Sequence, residues 1–155
     1  MRDRASTFAD LDWVALLTGP LVLTAAWGGR RGAMQVLSAQ PCSIEPPMVC
    51  VAARSGHWIQ PLIRDSHVFG LSSLGSSDRV LRRRLTEGGA GRAWDLLECA
   101  PLERLVSPAP VLAHAQLVLD CEVVRHLDIE SDHSLYVGRV LAARVRSSDE
   151  LEPGK

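Results

Sequence analysis

The chain has 155 residues, enough for one compact domain with a real core and too few for two comfortable ones. A 46% hydrophobic and 23% charged composition is that of an ordinary globular protein. A formal net charge of -1 provides no field to gather nucleic acid or an anionic membrane, so neither is expected as a partner.

In chain order, "FADLDWVALLTG" opens with an acidic first turn and sets Phe8, Leu11, Val14 and Leu17 or Ala15 on one helical face closing at Gly19. "PLVLTAAW" follows as a strand, and "GGRRG" reads as a turn in which Gly28, Gly29 and Gly32 are free to take positive φ. "AMQVLSAQPCSIEPP" is too interrupted for a helix and fits a strand followed by a winding loop. "PMVCVAAR" is a buried strand between Pro46-Pro47 and Ser55-Gly56. Ile59, Leu62 and Ile63 have helical spacing, and Pro61 restricts that helix to a start near Trp58.

"HVFGLSSL" is the next strand, and "SSDRVLRRRLTEGG" an amphipathic helix capped by Ser77 or Asp78 and ended by Gly88-Gly89. The last third is β in character: "PLERLV", "PVLAHAQLVLDCEVVRH" and "HSLYVGRVLAARVR". Leu117, Leu119, Cys121 and Val123 alternate with Gln116, Asp120 and Glu122, which suggests one buried face. The fold class is mainly β, a barrel with inserted helices, and "SSDELEPGK" is a polar tail.

The four cysteines are widely spread, with no C-x-x-C pair and no histidine at zinc-ligand spacing. They are expected to be buried, reduced thiols in a cytoplasmic protein, and no metal is expected. The apolar run at 13–27 follows Asp10 and Asp12 and is broken by Gly19-Pro20, so a soluble chain without a targeting segment is expected. The arginine run Arg82–Arg84 fans around its helix, and "GGAGR" and "GGRRG" lack the spacing of a dinucleotide fingerprint.

The order of four further elements is more specific than any one of them. Ser43-x-x-Pro46-Pro47 is followed by Ile63-x-x-Ser66-x-x-Phe69, then by Pro110-x-Leu112-x-x-Ala115 leading to Cys121. Asp132-His133 then precedes Leu135-x-x-Gly138-x-Val140. This arrangement resembles the flavin reductase-like, FMN-binding split-barrel family over roughly residues 14 to 146, and hence implies one domain for residues 1–155.

The resemblance implies a six-stranded Greek-key split barrel, a homodimer with flavin near the subunit interface, and an NAD(P)H-dependent flavin reductase acting on FMN or FAD. It also implies a two-component monooxygenase as a partner. Met34, Gln35, Val36, Leu37, Ser38, Ala39 and Gln40, continuing to Pro41, would form the loop facing the flavin ring. Arg54, Ser55 and His57 would hold phosphate, with donors suited to a dianion. Asp132 and His133 would occupy the Asp-His of a Gly-Asp-His element, on the nicotinamide side. Ser131 stands where the family has glycine, Ser72 where it often has asparagine, and the 37–41 stretch has fewer hydroxyls than usual. Two other functions fit the same fold: a flavoprotein holding FMN as a fixed electron carrier, and a barrel without flavin that serves as an assembly partner.

Overall fold

The computed structural model describes residues 17–87 and 96–146. The expected helix at 8–19 lies mostly outside them, as do the Gly88-Gly89 stop and the polar tail. Thr18 and Gly19, read as that helix's end, begin a strand instead.

The strands are β1 (Thr18–Trp27), β2 (Arg30–Ser38), β3 (Gln40–Ser43), β4 (Met48–Arg54), β5 (Val68–Ser73), β6 (Leu102–Glu103), β7 (Val111–Leu112), β8 (Leu117–Asp128) and β9 (His133–Val145). Helix α1 (Ile59–Ser66) lies between β4 and β5, and α2 (Arg79–Glu87) follows β5, with a 3-10 turn at Leu96–Cys99. Seven strands form one antiparallel sheet in the order β2-β1-β5-β8-β9-β4-β3, and β6 pairs with β7 apart from it.

Only Ala39 separates β2, which pairs with β1 at one edge, from β3, which pairs with β4 at the other. The two are one bent strand, and its bend rolls the sheet into the expected six-stranded barrel. Ala39 is buried there, its N–H donating to the Leu17 carbonyl at 3.1 Å. Residues 34–38 and 40–41 therefore belong to paired strands, joined at Ala39, rather than to a winding loop. Composition concealed this because proline and small polar residues also tolerate a strand at a barrel corner.

The barrel interior is filled by Leu21, Leu23, Val36, Val49, Val51, Phe69, Leu71, Leu119, Cys121 and Tyr136, with Ile59, Leu62 and Ile63 of α1 packed against them. A second cluster lies on the outer face of β1, β5 and β8, where Val22, Ser72 and Val118 are cross-strand neighbours. Val22 and Val118 pack there with Leu74, Leu81, Leu97, Val111 and Leu112. These strands are thus buried on both sides, and the single buried face expected for 116–123 is corrected. Asp120, on the supposed polar side, is fully buried, accepting the N–H groups of Val106 (2.9 Å) and Ser107 (2.6 Å) and the Ser107 hydroxyl (2.5 Å).

Gly28 and Gly29 both have positive φ, the geometry that a tight two-residue hairpin turn requires. Gly32 does not; it lies in β2, where a Cβ would come within 2.6 Å of the Trp58 ring. No disulfide joins the cysteines, and only Cys121 is buried; Cys50 is half-buried and Cys42 and Cys99 are exposed. Among the described residues no helix is long and apolar enough to cross a membrane, and no cluster of His, Cys, Asp or Glu is suited to a metal ion.

Candidate functional site

Pairing of β4 with β9 sets Arg54 directly opposite His133. Alternation fixes which side they share. Val49, Val51 and Ala53 point into the barrel, so Cys50, Ala52 and Arg54 point outward, beside Val137, Leu135 and His133. Gln40 pairs with Cys50 and adds a polar group on the same outer face, four residues or about 13 Å along the strand from Arg54. The result is a half-buried apolar floor of Cys50, Ala52, Leu135 and Val137 with a basic end and a polar end.

The turn after Arg54 wraps the basic end. Ser55 donates its N–H to the Asp132 carbonyl (2.8 Å) and its hydroxyl to the Ser131 carbonyl (3.0 Å). The Gly56 N–H reaches Gln60 Oε1 at 2.8 Å, with Gly56 at φ 83°, and the His57 N–H returns to the Arg54 carbonyl at 3.1 Å. His57 Nδ1 accepts the Ile59 N–H at 3.1 Å, capping α1, so its proton sits on Nε2. Burial, and then the Arg54 charge, hold His57 below the ordinary histidine range. All three N–H groups of the turn are used internally. The groups left for an anion are the exposed Arg54 guanidinium, which makes no ion pair with a carboxylate among the described residues, and the His57 Nε2–H.

Opposite, His133 Nδ1 lies 3.0 Å from Asp132 Oδ1, and this hydrogen bond holds the fully exposed Asp132 carboxyl below the usual range. The residue with positive φ in this hairpin is Glu130 (57°), stabilised as its N–H donates to Asp128 Oδ1 at 2.9 Å. Ser131 is spared that conformation, so the departure from glycine costs no backbone strain.

Behind the rim is a polar network that sequence reasoning missed. Gln60 Nε2 donates to Ser134 Oγ (2.8 Å) and Tyr136 Oη (3.2 Å), and both hydroxyl residues are buried. His126 Nε2 lies 3.0 Å from Ser134 Oγ, and its ring stacks on Tyr136 with centroids 4.3 Å apart. Burial raises the Tyr136 pKa above its ordinary value, against the opposing effect of its hydrogen-bonding neighbours. His126 reaches this face because a bulge at Val124 shifts the register between Val123 and Arg125.

The fold brings together Arg54, Ser55, His57, Asp132, His133 and Gln40. It does not bring Ser72, which is fully buried under β7 with its Oγ accepting the Leu112 N–H at 3.0 Å. Within β2, Met34 and Val36 face the barrel interior, Gln35 pairs with Val22 on the opposite side, and Leu37 and Ser38 are exposed. An apolar floor with Arg54 and His57 at one end fits a planar heteroaromatic ring bearing an anionic tail.

The flavin reductase like domain, as a family, matches residues 13–154. Relatives include the NADH-dependent flavin reductase StyB of Pseudomonas fluorescens, 30% identical over 137 residues, 88% of this chain and 76% of that protein. The FMN reductase (NADH) SmoA of Agrobacterium fabrum is 29% identical over 137 residues, 88% of this chain and 75% of its own. The solved styrene monooxygenase flavin reductase of Pseudomonas putida S12 superposes with a TM-score of 0.69 at 29% identity, covering 87% of this chain and 84% of that one. A match running almost end to end, on a barrel of this topology, shows that the chain belongs to the flavin reductase-like family.

Proposed function

We propose that the chain is an NAD(P)H-dependent flavin reductase that takes FMN or FAD as a diffusible substrate and supplies the reduced flavin to a monooxygenase. NADH is the expected donor, since StyB and SmoA are each described by it. The redox chemistry belongs to the bound rings themselves, with hydride passing from nicotinamide to flavin. What the protein contributes is placement, exclusion of water and charge. Cys50, Ala52, Leu135 and Val137 offer the flat apolar surface, with Gln40 at its edge. Arg54 and the His57 Nε2–H hold the flavin's phosphate, and His133, oriented by Asp132, lines the nicotinamide side.

The observation that carries this reading is the Arg54–His133 pairing, which puts an exposed cation and an oriented imidazole at one end of an apolar floor. The spent N–H groups of the Ser55–His57 turn favour an exchangeable flavin over a fixed carrier, because two side chains alone grip a phosphate less firmly than a turn of free amides would. The residues are read as one domain acting in the cytoplasm. A second copy covers the apolar outer face, so that flavin binds near the interface of a homodimer.

Oxidation of NADH, followed at 340 nm with the purified protein, tests the function. Turnover that rises with added FMN or FAD is expected. Flavin that copurifies and stays bound without such turnover would establish the fixed carrier instead.

A further inference from the structure

Gln60 makes both ends of its amide count. Its Oε1 accepts the Gly56 N–H at 2.8 Å, and its Nε2 donates to Ser134 Oγ and Tyr136 Oη at 2.8 and 3.2 Å. The reverse orientation would point NH2 at an N–H donor, so Gly56 fixes which way the amide lies. Its anchors do not yield easily: Ser134 and Tyr136 are 3% and 2% exposed, and His126 stacks on the tyrosine. The other N–H groups of the turn close onto Asp132 and Arg54, leaving Gln60 as the acceptor that ties the turn's middle to helix α1 and strand β9.

Building on the reductase function above, we propose that Gln60 is a positioning residue. It sets the Arg54–His57 turn against β9 and thereby aims the Arg54 guanidinium and the His57 Nε2–H at the phosphate of the flavin substrate. Gln60 itself need not touch the flavin. Riboflavin shares the ring and lacks the phosphate, so the pair FMN and riboflavin isolates this role from general damage to the barrel.

The test compares kcat/KM for FMN and for riboflavin, at saturating NADH, in the wild type, Gln60→Met, Arg54→Ala and the double variant. Methionine keeps the length of the side chain and removes both hydrogen-bonding ends. Gln60→Met is expected to lower the FMN-to-riboflavin preference about five- to tenfold, the scale of one misaligned charge-assisted hydrogen bond, mainly through KM for FMN. On the Arg54→Ala background the same change is expected to have a clearly smaller effect, because one of the two groups it aims is gone and only the His57 Nε2–H remains. Ser134→Ala, which loses the 2.8 Å anchor of Gln60 and the 3.0 Å contact to His126 Nε2 but keeps the Gln60 bond to Tyr136, should shift the preference the same way by a smaller factor, and it serves if Gln60→Met does not fold.

A preference unmoved by the variants, an equal loss with both flavins, or full additivity with Arg54→Ala would overturn the positioning role while leaving the reductase intact. A wild type with no flavin-dependent NADH oxidation would overturn the function itself and the positioning role with it.

Discussion

Replacing Gly138 by alanine tests the packing that lets β9 lie against the barrel core. Gly138 pairs with Val49 on one side and Val123 on the other, and a Cβ built on it would lie 2.5 Å from Phe69 Cζ, 2.8 Å from Phe69 Cε1 and 2.8 Å from Cys121 Cβ. Ordinary carbon contacts need about 3.5 Å or more, so the shortfall is about 1 Å. Phe69 and Cys121 are both fully buried, which leaves them no solvent to move into. A clash this deep against buried groups belongs at the upper end of the about 1–3 kcal/mol that overpacking costs, and alanine's smaller backbone entropy loss returns under about 1 kcal/mol, leaving a net loss of about 2 kcal/mol. For a chain of this size that lowers Tm by about 4–8 °C. The assay is urea or thermal unfolding of Gly138→Ala, Phe69→Leu and the pair. Shortening the ring vacates the space the methyl needs, so the double variant should be more stable than the sum of the single losses predicts by about 1 kcal/mol. A Gly138→Ala protein within about 0.5 kcal/mol of wild type, or strict additivity, would refute the reasoning.

Two further outcomes follow from one buried and one half-buried polar group. Asp120→Ala strands the N–H groups of Val106 and Ser107 and the Ser107 hydroxyl, and should destabilise by about 2–5 kcal/mol in the same assay, with Asp120→Asn losing less because one acceptor remains. The His57 pKa is depressed on folding, so below about 6.5 the unfolded chain takes up the extra proton first. Stability due to this group is therefore present above that pH and is lost as pH falls through the window down to the folded pKa. Urea midpoints between pH 7.5 and 5 should show a smaller fall for His57→Asn than for wild type; equal slopes would remove His57 as their source.

Helix α1 could be read directly because Ile59, Leu62 and Ile63 all face the core and Pro61 sits within its first turn, where it costs no hydrogen bond. Strand β4 was legible for a similar reason, an apolar run between strong punctuators. The two-sided burial of β8 was not, since the residues that cover Val118 and Asp120 come from distant segments, and an aspartate in an alternating pattern looks solvated. The bent strand escaped because pairing partners on both flanks outweigh the loop-like composition of residues 38–43.

In the candidate site, Arg54, Ser55, His57, Asp132 and His133 came from family resemblance; no local spacing joins β4 to β9. The Gln60 network had no signal at all. Ser134 and Tyr136 alternate unremarkably within a strand, and the bulge that turns His126 toward them breaks the period of two on which such readings depend.

The ladder that joins Arg54 to His133 also bears on how the protein acquires its activity. Strands β1 and β2, β3 and β4, and β8 and β9 are chain neighbours and can pair as local hairpins, whereas β4 must find β9 across more than half of the chain. Loop-closure entropy makes such distant pairing the slower event. A chain with its hairpins formed still carries the cationic and imidazole halves of the proposed site on separate pieces. Competence for catalysis thus arrives with barrel closure, and secondary structure by itself is no measure of it.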